Sequence, residues 1–354
     1  MSIRDLHPQT LRVIALAAVL VLTILFFASQ IDNYFSPRMF NRIATSAAVI
    51  LPIAIGQALV VMTRNIDLSV GSIVGIVAYF TGGFLASYPD LHPILVVLLS
   101  LAAGAVCGAL NGLLVAYGRV PSIIVTLGTL ALFRTFLVEF SNAKSITTAS
   151  LPTWLVDLPQ TNLLSIGDFD VKLIVVIALA AALIFGVALS RLRMARKLYA
   201  IGSNPDAAVM AGINLARVTF LSFMLSGALA GLAGFIFLAK FGNITVVAGL
   251  GFELKSVAAV VVGGVNIFGG SGTILGVVLG TVLVDTIDNS LTRWAVVSEF
   301  WRDALLGMLI MAAVATDTFM TRSLGSLKRV RKLLPSGKTT SSPVPATPPK
   351  SGVA

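Results

Sequence analysis

Charge is what this chain of 354 residues has least of: Asp, Glu, Lys and Arg together make up 11% of it, where a soluble domain carries about a quarter. With 57% hydrophobic residues and a mean hydropathy of +0.96, it has too few polar side chains to cover a water-soluble surface. The fold class that follows is all-α, a polytopic membrane helix bundle. Cysteine is nearly absent as well, and the single Cys107 has nothing to pair with inside the chain, so no disulfide framework exists. The two histidines, His7 and His92, stand apart in loops, which removes metal-ligand spacing and a Ser/His/Asp set together. In the tail, Gly337-Lys338-Thr339 imitates the end of a phosphate loop, but Lys332 stands where its first glycine belongs and no strand precedes it. Any nucleotide-driven work requires another chain.

What is present is a succession of apolar runs, near residues 13–28, 43–62, 68–86, 93–116, 122–138, 171–190, 218–239, 254–268, 273–286 and 304–318. Ten spans of this kind use up residues 1–334 as one membrane domain, leaving 335–354 as a Pro-, Ser-, Thr- and Lys-rich tail expected to be disordered. No small-x-small cleavage site follows the first run, which is therefore expected to stay as a span. The longest internal loop, 139–170, is polar and long enough to hold a short interfacial helix or hairpin. Ten spans put both termini on one side. With that side inside, the inner segments carry 16 Lys and Arg and the outer segments 8, so the positive-inside rule predicts cytoplasmic termini. The net charge of +10 is thus a topology signal and not a nucleic-acid footprint.

Glycines recur at four-residue spacing as Gly71 and Gly75, Gly104, Gly108 and Gly112, Gly227 and Gly231, and Gly272, Gly276 and Gly280. Such spacing predicts close backbone approach between helices in lipid. Polar groups interrupt the apolar runs at 64–72, at Asn111 and at the glycine-rich 263–272. Asp67 is expected either to pair with Arg64 or to cap the following span at the interface, since an aspartate at the bilayer centre costs about 2.5 to 3.5 kcal/mol. Arg134 falls inside the fifth span, and the five residues between it and Glu139 suit a helical pair poorly. Lys255 is read as marking the start of a span. Asp285 and Asp288 fit interface capping or a polar path equally.

The stretch 201–214 spells a short helix between two membrane runs. Asn204 can cap its first turn, Pro205 suits the first helical position, Asp206 complements the positive end of the dipole, and Gly212 stops it. Ala207, Ala208, Val209, Met210 and Ala211 leave it apolar, so it lies on its own bundle, on headgroups, or on a partner.

Several stretches together resemble the membrane permease subunits of bacterial ABC importers for ribose, xylose and related monosaccharides. They are 65–72 (Asn-Ile-Asp-Leu-Ser-Val-Gly-Ser), 111–115 (Asn-Gly-Leu-Leu-Val), 121–129 (Pro-Ser-Ile-Ile-Val-Thr-Leu-Gly-Thr), the capped stretch, 252–264 and 269–273. The resemblance covers about residues 41–317, and departs from the family pattern where Arg64-Asn65 replaces a small glycine pair. It implies an inner-membrane permease working with a second permease copy or paralogue, two cytoplasmic ATPases that bind the ATP and Mg, and a periplasmic sugar-binding protein. This chain itself is expected to bind no cofactor and no nucleic acid, and to contact membrane lipid. The resemblance makes Gly202, Asn204, Pro205, Asp206, Ala207, Ala208, Met210, Gly212 and Ile213 an ATPase-coupling element. It places Asp67, Ser69, Ser72, Asn111, Thr126 and Thr129 along the translocation path. Pentose, hexose, deoxysugar and furanosyl signal molecule all suit as cargo. An ion-driven secondary transporter and a branched-chain amino-acid permease are the alternatives.

Overall fold

The computed structural model describes residues 8–167 and 169–294, with 301, 304, 305, 307, 308 and 311 beyond them. The expected span at 304–318 falls largely outside the described residues, and the tail at 335–354 wholly so. In chain order the helices are α1 (Pro8–Gln30), α2 (Pro37–Met62), α3 (Val70–Ser87), α4 (Pro93–Gly112), α5 (Ser122–Ser141) and α6 (Thr153–Asp157). After an antiparallel hairpin, β1 (Asn162–Ile166) and β2 (Phe169–Lys172), come α7 (Leu173–Arg191), α8 (Arg193–Ser203), α9 (Pro205–Met210), α10 (Leu215–Phe241), α11 (Phe252–Val262) and α12 (Ile274–Arg293). Eight helices among the described residues are long and apolar enough to cross a membrane. The loop expected to hold an interfacial helix or hairpin holds both, α6 and β1–β2, and Ile146 in it pairs with Ile244 across the bundle end.

The centre is α2 against α10. Every residue of α2 from Ala47 to Met62 is buried, whereas α1 touches α12 and leaves Ile14, Val19, Leu22 and Phe26 bare. A helix apolar on all faces has no preferred solvent side, and in a membrane its outer face meets lipid. The glycine spacing does what close packing requires. A Cβ at Gly104 or Gly108 of α4 would strike the backbone of Gly227 in α10, and one at Gly280 of α12 would strike the carbonyl of Ala259 in α11.

The run at 254–268 is not a full span. α11 has 11 residues, roughly 16 Å at the helical rise, about half a bilayer core. It ends where Gly263 and Gly264 turn the chain, and Gly264, Gly269 and Gly270 all hold positive φ. Hydropathy reads the glycines as membrane-compatible, but their backbone freedom lets the segment fold back onto α2 and α8.

α3 begins after an extended stretch, 65–69, and α11 after a run of turns, 246–251. Gly71 at the start of α3 packs on Gly249 and on the Glu253 carboxylate, so the two helix N-termini face each other across a backbone contact. Non-helical backbone at this depth survives only if its peptide groups find partners or line water.

Candidate functional site

Two places combine polar groups with special backbone: the exposed α8–α9 element at one end of the bundle, and the buried break that precedes α3.

α9 is built by the local chemistry expected of it. The Asn204 side chain accepts from Ala207 N at 3.1 Å, Pro205 occupies the first turn with Asp206, and Gly212 takes φ 74° just past the helix. Its faces are set by packing. Ala208 is 3% exposed and points into the chain, while Val209 and Met210 are 57% and 90% exposed. Asp206, Ala207, Ala211 and Gly212 are exposed with them, Pro205 and Ile213 are half-buried, and Gly202 is buried. Of the residues grouped as one coupling element, Ala208 and Gly202 therefore anchor it and cannot form its outer face. α8 was not expected from the sequence. Its inward Ala195, Leu198, Ile201 and Gly202 recur at helical spacing, a signal masked by the basic residues between them.

α8 is fastened to the bundle end. Tyr199 Oη donates to Gly272 O at 2.9 Å, and burial pushes its phenol above the ordinary value, keeping it a neutral donor. Gly270 N donates to Met62 O at 3.1 Å.

The break before α3 is closed by side chains in place of helix bonding. Ile66 N donates to Ser122 Oγ at 3.3 Å and Thr126 Oγ1 donates to Ile66 O at 3.4 Å, so the first two turns of α5 serve both peptide groups. With its amide turned to satisfy both contacts, Gln57 donates to Asp67 O at 3.0 Å and accepts from Asp67 N at 3.3 Å. The Asp67 carboxylate is 0% exposed. Its Oδ1 accepts from Ser69 N at 3.0 Å and Ser69 Oγ at 2.7 Å, and its Oδ2 accepts from Ser226 Oγ at 3.4 Å. Asn111 Nδ2 donates to Ser69 Oγ at 2.7 Å, and Ser72 Oγ donates to Ser69 O at 2.7 Å. Asp67 thus shapes the start of α3, but from a fully buried position and with hydroxyl partners; Arg64 points elsewhere.

All six residues expected along the path, Asp67, Ser69, Ser72, Asn111, Thr126 and Thr129, are buried within the chain. Five of them, joined by Gln57, Ser122 and Ser226, hold α2, α4, α5 and α10 around one point; Thr129 donates to Thr126 O of its own helix. Gln57 was missed, though it is the only polar side chain between Ala47 and Met62 and so carried a signal.

The second break is served by charge. Arg134 donates to Val246 O at 2.9 Å and Ala248 O at 2.7 Å, which explains an arginine inside a span and leaves Glu139 without it. Lys255 is buried between Asp285 at 2.8 Å and Asp288 at 2.7 Å, and Ser46 donates to Asp285 at 2.9 Å. Lys255 does stand in the first turn of a helix, α11, but turned inward onto these two carboxylates. Nothing local in the sequence joins it to carboxylates thirty residues on. Among the described residues no cluster of metal-ligating side chains occurs.

The described residues thus form a bundle of membrane-length helices with a short exposed helix on one end and one half-length helix, α11, inside. The family model described as branched-chain amino acid transport system / permease component matches residues 39–314. The autoinducer 2 import system permease protein LsrC of Yersinia pseudotuberculosis serotype O:3 (strain YPIII) is 35% identical over 302 residues, covering 85% of this chain and 83% of that protein. Its namesake in Yersinia enterocolitica serotype O:8 / biotype 1B is 36% identical over 304 residues, 86% and 81% of the two chains. No solved structure matches. The chain belongs to this family of transport-system permease components, and is a multi-pass ABC importer permease of the inner membrane.

Proposed function

We propose that this chain forms half of the membrane pathway of an ATP-driven importer whose cargo is a small hydroxylated molecule of the furanosyl, autoinducer 2 kind, with monosaccharides such as ribose as the neighbouring class. A second permease, identical or paralogous, completes the pathway. Two cytoplasmic ABC ATPases bind the ATP and Mg and dock on α9, and a periplasmic binding protein delivers the cargo.

The observation that carries this reading is the bare Val209–Met210 face on a helix capped at its start and glycine-stopped at its end. An apolar face held rigidly in place is suited to a groove on a partner, and its rigidity lets the partner's movement reach the spans. The excess of Lys and Arg in the segments on that side supports a cytoplasmic position for α9 and for both termini. The identities to autoinducer 2 permeases support the cargo class. The six buried polar residues flank the pathway in this reading. Rocking of α3 against α4 and α5 turns their hydroxyl and amide groups toward a hydroxylated cargo, which a site of hydrogen-bonding groups selects over an apolar one.

The test is uptake by the complete complex in proteoliposomes, offered labelled autoinducer 2, ribose and leucine in competition. ATP-dependent uptake of autoinducer 2 ahead of leucine is expected. Preference for leucine overturns the cargo class, and uptake that collapses with an ionophore while ATP stays high overturns the ATP-driven mechanism.

A further inference from the structure

Arg64 holds a backbone conformation that its side chain must justify. Its φ is 66°, in the left-handed region that glycine enters freely and a long side chain avoids. The justification lies on the neighbouring element. Arg64 Nε donates to Gly202 O at 2.7 Å and Nη2 donates to Ser203 O at 2.9 Å. These are the last two carbonyls of α8, acceptors without helical partners at the negative end of its dipole, where a guanidinium binds with both geometry and charge in its favour. The next residue, Asn204, is the cap of α9.

Three backbones close on the same point. A Cβ on Gly202 would strike both Gly270 and the carbonyl of Met62, and one on Gly269 would meet the Arg64 side chain at 2.7 Å and Gly202 Cα at 3.0 Å. The end of α2, the end of α8 and the turn ahead of α12 are thus packed without side chains between them. Bare backbone contacts resist compression but not sliding. The two-pronged guanidinium is the group that fixes α8 along the contact, and one residue after it begins the break that leads to Asp67.

We propose that Arg64 is a positioning residue that makes α8 and α9 move as one body with the end of α2, the 65–69 break and α3, so that a push on α9 reaches the Asp67 network. The proposal rests on the reading of α9 as the ATPase contact and adds the residue through which that contact acts.

The experiment uses the full complex with its ATPases in lipid nanodiscs, in a Cys107→Ser background. Spin labels are placed at Lys197→Cys, exposed on α8 and outside the α9 docking face, and at Phe84→Cys, exposed on α3, with labelled permease diluted by unlabelled copies. With Arg64 present the distance distribution is expected to be narrow and to stay so after trapping with ATP and vanadate. In Arg64→Gly, which relieves the backbone and so accumulates at the parental level, the distribution should broaden and shift on trapping by about one helical turn, ~5 Å. Arg64→Lys, which retains the charge but only one prong, should fall between them and serves if the glycine variant does not assemble. Narrow, unshifted distances in both variants overturn the proposal. A separate arm crosslinks Met210→Cys to the ATPase in the parental chain. Its failure overturns the docking reading, whereas a crosslink that forms alongside unchanged distances overturns only the role of Arg64.

Discussion

The two breaks in the bundle solve one problem in opposite ways. Ahead of α3, the peptide groups of Ile66 and Asp67 and the Ser69 N–H are met by neutral side chains or by the one carboxylate of Asp67, itself fully buried. Ahead of α11, the chain from 243 to 251 keeps one side open, with Val247 60% and Leu250 65% exposed, and is pinned by the Arg134 guanidinium. A sealed hydrogen-bonded break gathers α2, α4, α5 and α10 at one point. An open break with irregular backbone cannot face hydrocarbon, so its exposed side belongs to water or to another protein surface.

The sharpest way to break this contrast is to remove a charge from the second region. Lys255→Met removes the buried cation that Asp285 and Asp288 share, and should lower unfolding stability in detergent by about 3 to 5 kcal/mol. Restoring neutrality with Asp285→Asn and Asp288→Asn in the same chain should return most of it. Next, Asp67→Ala leaves Ser69 N, Ser69 Oγ and Ser226 Oγ without their acceptor and should cost about 3 kcal/mol. If Asp67→Ala proves the costlier of the two, the charged region is not the more tightly bound. Arg134→Leu frees two carbonyls and should cost about 2 kcal/mol, less if water reaches them. In intact membranes, Val247→Cys should react with a membrane-impermeant maleimide and Leu68→Cys should not. Equal reactivity would remove the distinction between sealed and open. The smallest effect on folding is at the coupling face, where Met210→Arg should change stability by under about 0.5 kcal/mol yet abolish co-purification of the ATPase. Ala208→Arg, although two residues away, should destabilise α9 itself, because its side chain points inward.

Much of this was legible along the chain. The cap at Asn204, the stop at Gly212 and the helix between them follow from neighbours a few residues apart. So do the apolar runs of α2, α7 and α10 and the glycine spacing that seats α4 on α10. The burial of Ala208 was not legible, since five consecutive small and apolar residues present no periodic contrast to tell inside from outside. Nor was the half-length of α11: hydropathy counts glycine as lipid-compatible and is blind to the positive φ that turns the chain at Gly264, Gly269 and Gly270.

The residues by themselves determined that this is a membrane bundle with a short apolar helix at one end, because hydropathy, capping and glycine spacing are properties of adjacent or helically adjacent positions. Tertiary structure alone decided that Arg64 holds α8 instead of Asp67, that Arg134 serves the backbone of a distant segment, and that Lys255 is paired with Asp285 and Asp288. A buried polar group takes whichever partner the packing brings within reach, and that partner can lie more than a hundred residues away.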